Sequence, residues 1–332
     1  MSLTVAVTGP TGDIGRAFLR ALDAAPEVGR VLGMARRPFD PAALELRKTE
    51  YRQGDILDRA ALDELFAEAD VVVHLAFVIL GGREETRRIN LEGSRAVFAA
   101  AAAAAGVHRL VYTSSVAAYG FHPDNPVPLQ ESVPPRGTGE HYYSAQKAEL
   151  EGALEEALAG SDVEAYVFRP CIVAGADAQL LIENLPYARL PEAVRRLAGA
   201  VPAVKPILPD PGVPFQLVHA DDVARALVAA TTGTGAPGVY NLAADGTLTV
   251  SDLAGALGWY AVPVPDVAVD ATASVVARLP FLPAEAHWIQ VFRASVVMDT
   301  SKAKAELGWR PRHDARATLA DLVEGARGRG LV

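Results

Sequence analysis

The first half of the chain alternates short apolar runs with amphipathic stretches, and this alternation limits the possible folds more than any other feature. The runs are rich in β-branched residues and have the length of buried strands, whereas the stretches between them repeat their apolar residues with a helical period. Strands that alternate with helices form a parallel sheet that is covered by helices on both faces. We therefore predict an α/β protein with a doubly wound parallel sheet, whose ligands bind beyond the carboxyl ends of the strands.

The alternation assigns strands to residues 3–8, 31–34, 71–76, 110–114, 165–168 and 239–242, and helices to stretches that cover 59–68 and 86–105 or begin at Gly12 and near His141. The second half is less regular, and it is rich in proline between Pro186 and Pro214. A further strand and helix over residues 215–231, together with the strand over residues 239–242, are expected to return the chain to the sheet, which it then leaves again.

Composition excludes several kinds of partner. The net charge of -9 over 332 residues would repel a phosphate backbone, so we expect no nucleic-acid partner. The single cysteine, Cys171, allows no intrachain disulfide and no cysteine-rich zinc site, and we predict no bound metal. The longest uncharged apolar stretch, residues 96–107, is shorter than the ~20 residues that cross a bilayer. We expect a cytoplasmic protein that does not bind membranes.

Three glycines follow the first predicted strand, in the segment VAVTGPTGDIGRAF over residues 5–18. Gly9 and Gly12 permit a tight turn and the close approach of a ligand, while Gly15 permits the helix to pack tightly. Backbone amides and the positive end of the helix then face a pyrophosphate, so the segment predicts a dinucleotide site. The loop residues assigned to this site are Gly9, Thr11, Gly12, Asp13, Ile14 and Gly15.

The glycine loop completes the fold prediction, which is a Rossmann-like doubly wound parallel sheet with a smaller C-terminal substrate-binding cap. Residues 1–171 and 215–244 are assigned to the dinucleotide-binding domain. Residues 172–214 and 245–332 are assigned to the cap.

Further motifs are spread over nearly the whole chain. They are "TGPTGDIG" at 8–15, "GDILD" at 54–58, "HLA" at 74–76, "NLEGSRAVFAAA" from Asn90, "VYTSSVAAYG" at 111–120, "YSAQK" at 143–147, "RPCIVAG" at 169–175, "VHADDVARAL" at 218–227 and "AELGWRP" at 305–311. In these segments the chain resembles the short-chain dehydrogenase/reductase superfamily, in its extended branch of the NAD-dependent epimerase/dehydratase type.

The resemblance assigns roles to residues beyond the glycine loop. It implies that Asp55 and Ile56 hold the adenine and that Leu75 and Ala76 line the ribose side. It also implies that residues 170–173 flank the nicotinamide. The other positions assigned to the cofactor are Asn90, Thr113, Tyr143, Lys147, Pro170, Ile172 and Val173.

Ser115, Tyr143 and Lys147 form the candidate catalytic group. Tyr143 and Lys147 are four residues apart on a predicted helix, so they share one face. Because a tyrosine is a poor base at neutral pH, we expect Lys147, the helix N-terminus and an oxidised nicotinamide to lower the pKa of Tyr143. Ser115 follows a strand and can donate a hydrogen bond to the substrate oxygen. In the similar family this triad acts on a carbinol or carbonyl; the alternative is an exposed helical pair and a loop cap.

The end of the second strand bears on the choice of cofactor. Enzymes that select NAD usually place an acidic residue there to bind the ribose 2′-hydroxyl, whereas this chain has Ala35 followed by Arg36 and Arg37. These arginines can meet a 2′-phosphate, so the sequence favours NADP over NAD.

Departures from the family pattern bear on the substrate. Val116 and Ala117 stand where 4,6-dehydratases carry an Asp-Glu pair, which disfavours dehydration. Phe215 stands where nucleotide-sugar epimerases commonly carry a diphosphate-binding arginine, although Arg293 could replace it. We expect a substrate that is not a nucleotide sugar. A group of mostly apolar residues either contacts a less polar substrate or forms the core of the cap. These residues are Phe281, His287, Trp288, Ile289, Val291 and Phe292.

Three functions remain open at this point. The first is an NADP-dependent oxidoreductase, acting as a carbonyl reductase or secondary-alcohol dehydrogenase; the second is a nucleotide-sugar epimerase that keeps its cofactor; the third is a non-catalytic NADP sensor. Asn90 either supports a water or helix kink or is a surface residue, and Tyr119 either lines the substrate or packs in the core. Any homodimer is expected to form through the helices that follow Thr86 and His141.

Overall fold

The computed structural model describes residues 2–79, 83–139, 141–183, 205–264 and 295–331. Seven strands form one sheet in the order β10-β6-β5-β4-β1-β2-β3, and every neighbouring pair is parallel. These strands are β1 (Leu3–Thr8), β2 (Val28–Ala35), β3 (Thr49–Gln53), β4 (Val71–His74), β5 (Arg109–Thr113), β6 (Glu164–Pro170) and β10 (Gly238–Leu242).

Two small parallel sheets stand apart from the main one. They pair β7 (Ile172–Ala174) with β9 (Leu217–His219), and β8 (Ile207–Asp210) with β11 (Tyr260–Pro263). The α-helices of the described residues are α1 (Asp13–Ala24), α2 (Arg59–Phe66), α3 (Arg83–Arg87), α4 (Ser94–Ala103), α5 (Tyr142–Leu158), α6 (Gln179–Glu183), α7 (Ala220–Thr231), α8 (Val250–Leu257), α9 (Ser301–Glu306) and α10 (Ala315–Gly328). A π-helical segment, Arg88–Gly93, joins α3 to α4, and 3-10 turns cover Pro41–Leu44 and Val116–Tyr119.

The main sheet separates two hydrophobic cores, because successive residues of a strand point to opposite faces. In β1, Val5 and Val7 belong to one core and Ala6 to the other. The first core takes side chains from α1 and α7, whereas the second takes them from α2, α4 and α5. Each fully buried large apolar side chain contributes about 1.5–3 kcal/mol to folding. Helices therefore cover both faces, which confirms the α/β, doubly wound, Rossmann-like fold.

Two strands differ from the prediction. No strand was predicted over Thr49–Gln53, which is the edge strand β3 and has no buried residue. The chain returns to the main sheet through β10, as predicted, but the strand over residues 217–219 does not join that sheet, because β9 pairs with β7. The predicted division into two domains remains a prediction. Of the helices formed by the described residues, none combines the length and apolarity that a membrane crossing needs.

Candidate active site

Two glycines of the loop after β1 are required by the packing of the chain itself. Gly9 has φ +78°, and a Cβ atom there would lie 2.5 Å from the backbone nitrogen of Ala76. A Cβ atom on Gly15 would lie 2.5 Å from the carbonyl oxygen of Gly9. The absence of a Cβ atom at Gly9 and Gly15 thus allows the start of α1 to pack closely against the ends of β1 and β4.

Gly12 differs from both, since the chain itself does not demand a glycine there. Its φ of -77° is accessible to any residue, and a Cβ atom would meet nothing closer than 3.8 Å. Gly12 is the N-cap of α1, and this helix start has no side-chain capping hydrogen bond among the described residues. A Cβ atom would thus only fill an open cradle at a helix N-terminus, where a pyrophosphate binds well.

A buried hydroxyl group supplies a second observation that fits a dinucleotide. Thr113 is the last residue of β5 and lies at the same edge of the sheet. Its buried Oγ1 atom has no hydrogen-bond partner within the described part of the chain. Buried polar atoms normally have partners. The residues present therefore fit a bound dinucleotide.

The other predicted cofactor residues follow the carboxyl ends of neighbouring strands. The Asp13 carboxylate accepts a hydrogen bond from the Leu180 backbone nitrogen at 3.2 Å, and burial raises the pKa of that carboxyl. The remaining residues lie after β1 (Thr11), in the first turn of α1 (Ile14), after β3 (Asp55, Ile56), after β4 (Leu75, Ala76), at the end of β6 (Pro170) and in β7 (Ile172, Val173).

Arg36 and Arg37 lie at the far end of this edge, beyond β2. Arg36 and Asp55 both line an open cleft of about 1020 Å³. The loop itself is fixed, because Gln53 Nε2 donates to the Arg36 carbonyl oxygen at 2.9 Å and the Tyr51 hydroxyl donates to the Arg37 carbonyl oxygen. Both arginine side chains are exposed, and neither forms an ion pair with any residue that the structure describes.

The two predicted catalytic hydroxyls meet at the opposite end of the edge. Ser115 is buried and begins the 3-10 turn after β5, where its Oγ accepts from the Ala117 backbone nitrogen at 3.2 Å. Tyr143 lies in the first turn of α5, its ring edge-on to Phe77 at a centroid distance of 5.4 Å. Burial raises the pKa of Tyr143, and the nearby Ser115 hydroxyl only partly opposes it. The expectation of a lowered pKa is wrong for the chain alone, because desolvation outweighs the nearby donor.

Lys147 lies one turn further along α5 and is only 3% exposed. Its Nζ donates to the Thr113 carbonyl oxygen at 2.9 Å and lies 3.9 Å from the centroid of the Phe77 ring. Burial lowers the pKa of Lys147 to about 7, and the charge of Glu151 opposes this shift. The alternative of an exposed Tyr-Lys pair is therefore wrong.

The two side chains left open by the sequence both prove to be buried. Asn90 lies in the π-helical segment, where its Oδ1 accepts from the Val78 nitrogen at 2.8 Å and its Nδ2 donates to Gln146 Oε1 at 2.9 Å. It thus ties the loop after β4 to α5 at the irregular turn and is not a surface residue. Tyr119 donates to Asn241 Oδ1 at 2.7 Å and is fully buried, so it belongs to the core.

Sequence reasoning missed four side chains at this end. Phe77 covers the Lys147 ammonium group, and the carboxylate of Glu151 binds both Ser114 and Arg169. The position of Glu151, four residues after Lys147, was the available signal, since residues at that spacing share a helix face.

The residues that bear on the substrate are described only in part. Phe215 is 5% exposed and packs in a third apolar cluster with Leu217, Leu248 and Leu319, so this position offers no cation. Residues 184–204 and 265–294 lie outside the described residues. The second of these ranges contains Arg293 and the whole apolar group that was expected to contact the substrate or form the core of the cap: Phe281, His287, Trp288, Ile289, Val291 and Phe292.

Residues 5–243 match the family model of the NAD dependent epimerase/dehydratase family. This chain belongs to that family.

Similar proteins extend the comparison over the full length of this family member. An uncharacterized protein of Mycobacterium tuberculosis is 28% identical over 98% of this chain and 84% of its own. Sterol demethylase protein B of Methylococcus capsulatus is 32% identical, but over 52% of each chain. The crystal structure of UDP-glucuronic acid 4-epimerase from Bacillus cereus, in complex with NAD, superposes with a TM-score of 0.74 at 17% identity, covering 99% of this chain and 100% of the other. That structural likeness shows the fold.

Proposed function

We propose that this protein is a nicotinamide-dependent oxidoreductase that acts on a secondary carbinol or on the corresponding carbonyl. The observation that supports this most directly is the arrangement at the end of β5. The Ser115 hydroxyl lies near that of Tyr143 and lowers its pKa, and the buried Lys147 amine donates to the Thr113 carbonyl oxygen on the same strand.

The residues present indicate how the reaction would proceed. The glycine loop and the cleft between Arg36 and Asp55 would hold the dinucleotide, which when bound exchanges a hydride with the substrate carbon. Ser115 orients the substrate oxygen by donating a hydrogen bond. Tyr143 gives a proton to that oxygen or takes one from it, and Lys147, when charged, favours the phenolate form of Tyr143.

One form of this chemistry is the epimerisation of a nucleotide sugar with a retained cofactor. The comparisons favour this form over a free-standing reductase. The family is named for epimerases and dehydratases, and the Bacillus cereus protein of the same fold is a 4-epimerase with NAD. Oxidation followed by reduction from the other face needs no protein group beyond the triad, provided that a retained dinucleotide takes up the hydride and returns it.

A second form is the reduction of a less polar carbonyl compound. The burial of Phe215 favours it, because strong binding of a diphosphate needs convergent cations and this position supplies none. The name of the Methylococcus capsulatus relative also refers to a sterol, which is an apolar molecule.

A product assay separates the two forms. The purified protein is incubated with UDP, GDP and dTDP sugars and, separately, with hydrophobic ketones and aldehydes plus reduced cofactor, and Tyr143→Phe serves as the reference. A new sugar epimer without net change in absorbance at 340 nm supports the epimerase; oxidation of the added cofactor supports the reductase. Turnover of neither substrate class, despite tight dinucleotide binding, would contradict both and favour the sensor.

The preference for NADP is a separate proposal. Arg36, which lines the cleft, and its neighbour Arg37 form no ion pair with the described residues and can meet a 2′-phosphate, and the position that would bind the 2′-hydroxyl of NAD is Ala35. Solved structures of similar fold contain NAD, so titration with both cofactors is needed to decide.

A further inference from the structure

Glu151 is a buried carboxylate that the proposed chemistry does not use. It lies on α5, one turn after Lys147 and two turns after Tyr143, and it is 4% exposed. The Ser114 hydroxyl donates to its Oε1 at 2.5 Å. Arg169 donates to Glu151 through Nε at 3.0 Å and through a terminal guanidinium nitrogen at 2.6 Å. A buried ion pair with this many hydrogen bonds has little freedom to rearrange.

This ion pair joins the three elements that build the catalytic end. Ser114 follows β5 and directly precedes Ser115. Glu151 belongs to α5, the helix of Tyr143 and Lys147, and Arg169 is the second-last residue of β6. The Ser114 backbone nitrogen also donates to the Phe168 carbonyl oxygen at 2.7 Å. The start of the 3-10 turn, and with it the Ser115 hydroxyl, is therefore held to α5 by the Glu151 carboxylate.

The charge of Glu151 acts on Lys147. The titratable groups that face the Lys147 ammonium are Tyr143 and Glu151 from its own helix, Tyr112 from β5 and His74 from β4. Burial raises the pKa of both tyrosines and lowers the pKa of His74 to about 3, so all three are neutral at pH 7. Glu151 is then the anion of this group that can favour the charged form of Lys147.

We propose that Glu151 is a positioning residue for the reaction, which holds Ser115 through Ser114 and favours the charged form of the Lys147 side chain, one turn away on the same face of α5. The inference rests on the proposed function for its purpose, but its two effects are properties of the folded protein and can be measured without a substrate.

The chain has five lysines, which permits a direct titration of Lys147. Protein labelled with 13C-lysine is followed by NMR against pH, before and after saturation with NAD or NADP, and Lys147→Arg assigns the resonance. Hydrogen–deuterium exchange of residues 114–120 reports on the Ser115 turn. Glu151→Gln removes the charge, Ser114→Ala removes only the hydroxyl, and Glu149→Gln makes the same charge change on the exposed side of α5, where Glu149 pairs with Arg95.

We expect the Lys147 midpoint near pH 7 in the cofactor-free wild type and at lower pH in Glu151→Gln, with faster exchange of the turn. Ser114→Ala should speed only the exchange, and Glu149→Gln should change neither quantity. A folded Glu151→Gln protein with an unchanged Lys147 midpoint would overturn the proposal, even if exchange increases, because Glu151 would then be merely structural. Should the single variant not fold, Glu151→Gln with Arg169→Gln removes the unpaired guanidinium and is held to the same outcomes.

Discussion

The two ends of the candidate site hold their charges in opposite ways. At the catalytic end, Lys147, Glu151 and Arg169 are at most 4% exposed. The Lys147 amine donates to the Thr113 carbonyl oxygen, and the Arg169 guanidinium donates to the Glu151 carboxylate. At the other end, Arg36 and Arg37 are exposed and have no charged partner within the described residues. A buried charge acts strongly on its neighbours and is costly to leave unpaired, whereas an exposed one is screened by water and salt. The first end is therefore suited to chemistry and the second to selecting a ligand.

We expect the largest effect from the loss of the Tyr143 hydroxyl group at the catalytic end. Tyr143→Phe should lower turnover by roughly 100- to 10,000-fold, because general acid–base catalysis supplies about that much. Stability and dinucleotide binding should change little, and both are checked by urea unfolding and by fluorescence titration. Turnover of an identified substrate at the wild-type rate would remove Tyr143 from the catalytic group.

Breaking the buried ion pair should have the next largest effect. Arg169→Ala leaves the Glu151 carboxylate buried without its partner and should lower the free energy of unfolding by about 3–5 kcal/mol. Urea unfolding at pH 7 measures the change. A loss below about 1 kcal/mol would mean that water reaches Glu151, and the contrast between the two ends would be smaller than the structure indicates.

The parts of the fold that follow from local patterns could be predicted. Continuous apolar runs such as Val71–His74 are buried on both faces of a parallel sheet, so their burial pattern is visible in the sequence. The edge strand Thr49–Gln53 lacks such a run, because water covers much of its surface and polar residues are tolerated there. The pairing of β9 with β7 depends on contacts distant in sequence, and no local pattern records them.

The same limit applies to the candidate site. The spacing of Tyr143 and Lys147 places both on one helix face, and that much was predictable. Whether the face is wet or dry depends on what packs against it. Glu151 continues the face, yet a glutamate four residues after a lysine is also typical of an exposed helix. Only the packing of β5 and β6 against α5 distinguishes the two.

At the exposed end, Arg36 and Arg37 should affect the choice between cofactors more than the stability of the fold. Arg36→Ala should reduce any preference for NADPH over NADH by about tenfold to a hundredfold, which is the value of one charge-assisted hydrogen bond. Fluorescence titration of both reduced cofactors measures the preference. If the wild type binds NADH more tightly, the proposed 2′-phosphate contact is wrong. Lys48→Ala, which removes a cation bound to the Ala25 carbonyl oxygen and away from Arg36, serves as the control.

The lowered pKa of Lys147 predicts a particular pH dependence of stability. The folded protein releases this proton near pH 7, whereas the unfolded chain keeps it to about its ordinary value of 10.5. Between these values the unfolded state binds more protons, so stability rises with pH, by at most about 1.4 kcal/mol per pH unit from this group. Lys147→Met lacks the group, and wild type should gain stability relative to it between pH 7 and 9. Parallel curves would show that Lys147 keeps an ordinary pKa.

The smallest effect is expected from an exposed ion pair between α4 and α5. Arg95 on α4 lies 3.1 Å from Glu149 on α5, and both side chains are more than two-fifths exposed, at 47% and 45%. Arg95→Ala should lower the free energy of unfolding by less than about 1 kcal/mol, and added salt should reduce the difference further, because exposed pairs are screened. The comparison with Arg169→Ala then isolates burial as the variable. A cost that equals that of the buried pair, and that grows with protein concentration, would instead place this surface inside a homodimer formed through the helices after Thr86 and His141. A large cost at every concentration would show that the exposed pair is held as rigidly as the buried one, and burial would not explain the difference between the two ends.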